Sequence, residues 1–524
     1  MFYVFLMSCE LTFPYNQLSK IFPVISLFCG VQILWQGMKM QIRFSTIFYL
    51  LGFVVAAVGF GILTALPVSL FFGDGDAKAI LFSALVTIAV GSLLSWLMNR
   101  FPREELRTRD GFAVVTLSWI AGSAFGSLPY ILSGVLPSFT DAFFETISGF
   151  STTGASAITD VESVPHGILF WRALSNWLGG IGIVVMSLAI LPFLGVAGMQ
   201  LFKAEVSGPT KDKLTPRIVE TARILWVLYF SVTAVESLLL MLGGMPLFDS
   251  VCHSFSTIAT GGFSTKNASI GFYNSAYIES VVIIFMFVGS CNFSLIFISI
   301  HRGPKALFGD HEFTFYLMSF LAALVIVMAM VTGSIYNGDI VDSLRASAFS
   351  VMTVFSTTGF ATADFAQWPY AALAFLLLLM ILGGCAGSTA GGLKQVRVLL
   401  LIKSLFGEIK KLAHPRLVSP IRYNGGAMDR ETVTTLGAFL LAFLGILFTS
   451  TLVLMLTGLE PGVALSAVAA CLSNEGPGFG SVGPMGNYAH LSALAKWVLS
   501  ACMFLGRLEI FTVLVLFSKA FWKG

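Results

Sequence analysis

STTGAS at Ser151–Ser156, ATGGFS at Ala259–Ser264, STTGFA at Ser356–Ala361 and SNEGPG at Ser473–Gly478 are four versions of one short phrase. Aligned, they superpose Gly154, Gly262, Gly359 and Gly476, which stand 108, 97 and 117 residues apart. Spacing this even marks an internal repeat, and a repeat governs how every other segment is read. Upstream of each glycine lies a short apolar stretch, such as DAFFETISGF (Asp141–Phe150) or DSVCHSFSTI (Asp249–Ile258), too short to cross a bilayer. A full apolar run precedes each short stretch, at about 112–136, 221–245, 313–333 and 432–457. Another follows each glycine, at about 168–192, 277–300, 371–406 and 492–518. The unit is therefore span, re-entrant half-helix, glycine turn, span. Two more runs, at roughly 44–72 and 77–99, come before the first unit and carry no turn.

Composition agrees with that reading. Of 524 residues, 56% are hydrophobic and only 11% charged, and the mean hydropathy is +0.87, so lipid is the main solvent. The fold class expected is an all-α polytopic membrane protein: four span, pore-helix, span repeats around a pseudo-fourfold pore, plus two leading transmembrane helices. The repeats divide the chain into two leading spans at 40–110, units at 111–210, 211–305, 306–425 and 426–524, and an N-terminal extension at 1–39. Met40 is an alternative start to Met1, because Ile21–Trp35 is apolar but short and lacks a small-residue cleavage site. A net charge of +3 gives no reason to expect nucleic acid as a partner. The seven cysteines form no CxxC pair and read as small packing residues. The six histidines are scattered, which argues against a metal site and against nucleophilic catalysis. Ser388-Thr389 near Lys394 lacks the strand context and lysine spacing of a phosphate loop. No enzyme activity and no cofactor in this chain are expected.

Loop charges test the topology separately, because cytoplasmic loops are enriched in Lys and Arg. Arg100, Arg103, Arg107 and Arg109 precede the first unit, and Lys203, Lys211, Lys213 and Arg217 follow it. Arg302 and Lys305 follow the second, Lys403, Lys410, Lys411, Arg416 and Arg422 the third, and Lys519 and Lys523 end the chain. Each unit then begins and ends inside, with both termini cytoplasmic. The opposite loops hold Asp74, Asp76, Asp160, Glu162, Asp339, Asp364 and Glu460, an acidic outer vestibule that would concentrate cations.

Non-helical backbone at membrane depth persists only where protein buries it or where it lines a water-filled cavity. Four like-oriented turns can surround one axis, and each half-helix then directs its C-terminal end, with roughly half a negative charge, at that axis. Glycine allows the left-handed backbone that turns carbonyls inward. Thr152, Thr153, Thr260, Thr357 and Thr358 add hydroxyl oxygens. The expected site is a ring of carbonyls standing in for an ion's hydration shell. The bland alternative, Thr and Gly serving only close helix packing, suits one copy better than four.

These four turns, with the two leading spans, resemble the Trk/Ktr/HKT family of potassium and sodium transporters, and the ten-span form is similar to its TrkH branch. The resemblance covers about Met40 to the C-terminus. It implies a potassium-channel-like filter, made here by Thr152, Thr153 and Gly154; Thr260, Gly261 and Gly262; Thr357, Thr358 and Gly359; and Asn474, Glu475 and Gly476. The fourth turn departs from the threonine pattern, and the backbone of Glu475 is expected to matter more than its side chain. Glycine in the first turn resembles the potassium-conducting members, with Rb+ and Na+ as further candidate ions. The resemblance also implies a homodimer in the bacterial inner membrane and a cytosolic TrkA-type regulatory subunit, the only place where a nucleotide is expected.

A second constellation lies in LGGCAGSTAGG, Leu382–Gly392. Five glycines penalise a continuous helix by about 5 kcal/mol, so the helix should break there. Twelve residues from Ala371 put the break about 18 Å inward, beneath the turns. Gly383, Gly384, Gly387, Ser388, Thr389, Gly391 and Gly392 are thus candidate gate residues, the alternative being a glycine seam for helix packing. In the resembling family an intramembrane loop obstructs the pore at this position. Arg507, inside the run SACMFLGRLEIFTVLVLF, must find acceptors at membrane depth. Glu509 is on another helix face, so the carbonyls of that loop are the expected acceptors, with a buried ion pair as the alternative. Two competing functions remain: an H+- or Na+-coupled symporter, whose repeats usually run in opposite senses, and the channel-like subunit of a potassium-pumping ATPase.

Overall fold

A computed structural model describes residues 44–101, 108–190, 214–416, 420–428, 430–519 and 521. Residues 1–39 with Cys9 and Cys29, and also Arg103, Arg107, Lys203, Lys211, Lys213 and Lys523, lie outside the described residues. The same holds for the side chains of Arg109 and Arg217.

The leading pair is α1 (Phe44–Leu63), continued by α2 (Leu66–Phe72), and α3 (Ala77–Met98). Their approach is set by missing side chains: a Cβ on Gly91 would lie 2.4 Å from the Ala56 amide nitrogen, and one on Gly52 2.6 Å from the Gly91 carbonyl oxygen. Where lipid supplies no hydrophobic drive, such small-residue contact is what holds two helices together. Ser95 fastens the pair by donating to the Tyr49 carbonyl at 3.0 Å.

Four units follow, each with a spanning first arm, a short pore helix and a second arm. The first is α4 (Thr108–Gly126) with α5 (Leu128–Leu132), pore helix α6 (Phe139–Phe150) and α7 (His166–Ile190). The second is α8 (Leu214–Leu242), pore helix α9 (Leu247–Ile258), α10 (Ala276–Gly289) and α11 (Phe293–Arg302). The third is α12 (His311–Val331), pore helix α13 (Ile340–Phe355), α14 (Tyr370–Leu382) and α15 (Gln395–Ala413). A two-stranded hairpin, Arg422–Tyr423 against Gly426–Ala427, leads to the fourth: α16 (Arg430–Leu456), pore helix α17 (Pro461–Leu472), α18 (Ala493–Arg507) and α19 (Phe511–Leu514). The protein is thus an all-α multi-pass membrane protein with the repeat plan read from its turns. Six described helices are long and apolar enough to cross a membrane unbroken, and two bent pairs bring the number to eight.

Those bends are the main departure from the apolar runs. The run at 277–300 turns by 101° between α10 and α11, and the run at 492–518 turns by 106° after Arg507. The first break has a local cause. Asn292 accepts from the amides of Ser294 and Leu295 at 2.9 and 3.2 Å, capping a new helix where an asparagine side chain competes with the continuing ladder. The outer acidic residues are also more committed than a vestibule requires. Asp76 is buried and accepts from Ser69. Asp74 accepts from the His166 amide at 2.7 Å, and this bond is the main reason its carboxyl sits below the usual carboxylate range. Asp74 therefore joins the leading pair to the first unit, whereas Asp76 ties α2 to α3 within the pair. Asp160 and Glu162 in turn grip Asn267 of the second unit, at 2.7 and 3.1 Å.

Candidate functional site

Each pore helix ends in the same turn. The amide of the second residue past the C-cap closes on the fifth residue behind it: Thr153 on Ser148, Gly261 on Ser256, Thr358 on Thr353 and Glu475 on Ala470, all at 2.8–2.9 Å. Two residues before each aligned glycine the backbone is left-handed, with φ of 52° at Thr152, 51° at Thr260, 56° at Thr357 and 57° at Asn474. The glycines are left-handed too, at 83°, 66°, 84° and 102° for Gly154, Gly262, Gly359 and Gly476, while the residue between is not. Alternating hand along a strand turns successive carbonyls toward one side. Three threonines and an asparagine held in this region are strained unless their surroundings enforce it. Four repetitions of the same strain mark a built site.

The turns meet. A Cβ on Gly154 would stand 2.4 Å from the Gly261 carbonyl oxygen, and one on Gly262 2.1 Å from that of Thr358. One on Gly359 would stand 2.0 Å from the Glu475 carbonyl oxygen, and one on Gly476 2.4 Å from that of Thr153. Each aligned glycine thus packs on the peptide just before the aligned glycine of the next unit, and the fourth returns to the first. The ring closes in chain order. Tyr488 seals its last joint, its amide bonding to the Ser156 carbonyl at 2.8 Å and its hydroxyl donating to the Gly476 carbonyl at 2.6 Å.

Side chains of the turns are less uniform. Thr153 and Thr358 pair at 2.7 Å with Ser151 and Ser356 of their own turns. Thr260 donates to the Ala259 carbonyl, Thr357 accepts from the Gly391 amide at 2.7 Å, and the Thr152 hydroxyl has no protein partner. Asn474 donates to Thr153 and to the Met503 carbonyl. Glu475 contributes its carbonyl to the ring, whereas both its carboxyl oxygens are buried without a protein partner.

Behind the first turn is a brace that the turn motifs alone do not announce. Arg172 donates to Glu145 at 2.7 Å and to the Ser264 carbonyl at 2.9 Å, and its guanidinium lies 3.6 Å from the centre of the Phe263 ring. Glu145 also accepts from the Ser156 hydroxyl and from the Ala157 amide at 2.7 Å. The pair ties the first turn to the second. Its signal was an arginine inside the apolar run 168–192, which at membrane depth demands an acid. His253, at the matching position of the second unit, meets Ser264 at 3.0 Å, as Glu145 meets Ser156.

Beneath the ring the third unit's second arm stops. The α14 helix ends at Leu382, α15 starts at Gln395, and residues 383–394 between them form a loop. Left-handed φ at Gly383, Gly387 and Gly392, of 68°, 74° and 71°, lets the chain double back. The loop touches the ends of the pore helices. Thr389 donates to the carbonyls of Ile258 and Gly289, both at 2.8 Å, and a Cβ on Gly391 would sit 1.9 Å from the Ser473 carbonyl oxygen. Cys385 bonds through its amide to Ser290, and a Cβ on Gly384 would stand 2.6 Å from Ala390. Ser388 returns to the Cys385 carbonyl at 2.6 Å.

Arg507 completes this layer. Buried, at the very end of α18, it donates to the Thr389 carbonyl at 2.6 Å and to the Gly179 carbonyl at 3.0 Å. The loop carbonyl is the acceptor the sequence pointed to; Gly179 on α7 was not foreseen. Loop and arginine together touch all four units. Two staples hold the loop's neck: Glu312 accepts from the amides of Ala386 and Val396 at 2.7 and 3.0 Å, and Gln395 donates to the Gly383 carbonyl at 2.6 Å. Glu509, the acid set aside as a partner for Arg507, pairs with Arg397.

Comparison with known proteins agrees with this geometry. Residues 76–523 match the TrkH family, described as cation transport protein. The chain is 42% identical over 460 residues to the Trk system potassium uptake protein TrkH of Salmonella typhimurium, covering 87% of this chain and 94% of that protein. It is 41% identical over 477 residues to the protein of the same name from Halomonas elongata, covering 90% and 98%. The crystal structure of the potassium transporter TrkH from Vibrio parahaemolyticus superposes with a TM-score of 0.85 at 36% identity, covering 92% of this chain and all of that one. The chain therefore belongs to the TrkH family of cation transport proteins.

Proposed function

We propose that this chain is the potassium-translocating subunit of a Trk-type uptake system in the bacterial inner membrane. The observation that carries the reading is the closed ring, in which each turn glycine packs on the next unit's carbonyl within 2.0–2.4 Å of its absent Cβ. Such a ring offers main-chain oxygens to a dehydrated alkali ion, at a point where four pore-helix C-termini favour positive charge. The filter consists of Thr152 to Gly154, Thr260 to Gly262, Thr357 to Gly359 and Asn474 to Gly476. Potassium is the ion it passes, with Rb+ and Na+ as further candidates, because fewer carbonyl layers than a long filter strand provides imply weaker selectivity.

The loop from Gly383 to Gly392 and Arg507 form the gate. Their support is position: hydrogen bonds to all four units fix a cation and a doubled-back loop directly under the ring. Flux then requires the loop to withdraw, under the control of a cytosolic nucleotide-binding subunit docked on the basic inner loops, in a homodimer of this chain. The deciding experiment reconstitutes the full chain in liposomes and measures reversal potentials under opposed K+ and Na+ gradients. Potentials that follow the K+ gradient and steepen with the soluble partner and its nucleotide are expected. Potentials that track a proton gradient at zero net current would instead make the protein a symporter.

A further inference from the structure

Between the two arms of the third unit the protein leaves an apolar crevice of about 460 Å³. Residues 319–326 of α12 and 375–382 of α14 wall it, together with Phe355, the last residue of pore helix α13. Of the side chains that line it, Ser319 alone is polar. The crevice runs inward from the surface of the protein: Ile326 and Leu378 are 39% and 60% exposed, whereas Ala323, Leu379 and Phe355 are buried.

Depth decides what can enter. Ser319 lies about 12 Å and Ile326 about 22 Å along α12 from its start at His311, which is the middle of a hydrocarbon core about 30 Å thick. Leu382 lies about 18 Å along α14 from Tyr370, the matching level from the opposite side. Water there would meet one hydroxyl, fewer than the roughly two to four polar partners that hold a buried water. The medium facing the crevice is lipid hydrocarbon, so an acyl chain is the occupant its chemistry takes. Hydrocarbon gains nothing by leaving hydrocarbon, so fit and close contact govern entry.

Both walls hold the gate loop. Leu382 directly precedes Gly383, where the chain turns left-handed at a φ of 68°, and the Ile381 carbonyl accepts from the Leu393 amide at 2.9 Å across the loop's neck. On the other side the Phe355 ring stacks on that of Tyr316 of α12, with centroids 4.9 Å apart. The Tyr316 hydroxyl meets that of Ser290 at 2.6 Å, and the Ser290 carbonyl accepts from the Cys385 amide of the loop at 2.9 Å. An object wedged between the walls therefore bears on the loop's first hinge and on one of its anchors.

We propose that this crevice is a binding site for a phospholipid acyl chain, which braces the end of α14 and favours the closed position of the gate loop. The inference rests on the reading of that loop as the gate, and the test separates the two.

The full chain is placed in phosphatidylcholine vesicles whose acyl chains carry a mid-chain diazirine, irradiated, and mapped by mass spectrometry. Label is expected on Ala323, Leu379 or Phe355, which lipid at the outer boundary of the protein cannot touch. Label confined to exposed neighbours such as Leu378 overturns the site. Rb+ flux without the soluble partner is compared in dioleoyl vesicles and in diphytanoyl vesicles, whose side methyls broaden each chain beyond what the crevice admits. Flux should be several-fold higher in the branched lipid. Ala322→Phe and Ser319→Leu fill the crevice with protein, so both should lose label at Ala323 and show equal flux in the two lipids. Equal flux in the wild-type chain, or a lipid dependence kept in both variants, overturns the inference and leaves the gate reading in place. Arg507→Ala reports on the gate itself: it should raise flux in both lipids, and unaltered flux overturns the gate reading and the inference with it. A disulfide between two chains through Ala322→Cys, with Cys9 and Cys29 changed to serine, would seat a second copy in the crevice and overturn the acyl chain as its occupant.

Discussion

Gly262 is the residue at which the ring is most simply broken. Its φ of 66° is expensive for any side chain, and the Thr358 carbonyl oxygen lies 2.1 Å from where a Cβ would go. Gly262→Ala is expected to abolish K+ over Na+ discrimination in reversal potentials, while Gly445→Ala, at an open position with nothing within 4 Å of a Cβ, should leave it unchanged. Equal loss in both would show that the method reads expression and not the filter. Glu145 acts at one remove. Glu145→Ala leaves the Arg172 guanidinium buried without its acid, a change that costs about 3–5 kcal/mol in comparable pairs. Adding Arg172→Ala should return part of that loss in thermal unfolding of the detergent-solubilised chain, since the two residues share one interaction. In the loop between α2 and α3, Asp74 gives a pH dependence whose sign is fixed. Its carboxyl is held below the ordinary range chiefly by the His166 amide, so the contact is in force above the ordinary carboxylate pKa and is lost as pH falls through the lowered folded value. Asp74→Asn should remove that acid-side loss.

At the scale of elements, the sequence was most legible where the chain must do something costly. Four half-length helices ending in glycine turns cannot stand in lipid alone, and the five glycines between Leu382 and Gly392 forbid a continuous helix; both features are in the structure. The bends were hidden, because Ala276–Arg302 reads as one apolar run and its local mark is Asn292, a single capping residue. The Glu145–Arg172 brace was hidden for another reason: its partners are 27 residues apart, and their meeting depends on how α6 packs on α7. The Glu312 staple spans a longer separation still. These contacts make the proposed gate testable. Arg507→Ala removes both hydrogen bonds from the loop layer and should raise Rb+ flux in the absence of the soluble partner. Glu312→Ala frees both ends of the same loop without touching the ring, so it should raise flux in the same direction and leave the K+ to Na+ ratio unaltered. Flux reduced by either change at normal expression would mean that the loop holds the pore open.

The whole molecule turns on one sense of orientation. A ring in which every unit packs on its successor, and the fourth on the first, requires four units inserted alike, and the inward Lys and Arg of the loops predict that arrangement. The α12 helix has 21 residues, about 32 Å at 1.5 Å per residue, which matches the hydrocarbon thickness. It carries the chain from Arg302 and Lys305 at one surface to Gly333 and Asp339 at the other. Gly333 has nothing within 4 Å of a Cβ, and Lys410 near the end of α15 is exposed, so each tolerates a reactive cysteine. The background is quiet once Cys9 and Cys29 are changed to serine, because Cys252, Cys291, Cys385, Cys471 and Cys502 are buried. In intact cells a membrane-impermeant maleimide should label Gly333→Cys, and it should reach Lys410→Cys only after the membrane is opened. The reverse pattern would turn all four units over, putting the gate loop outside the filter and removing the case for cytosolic control.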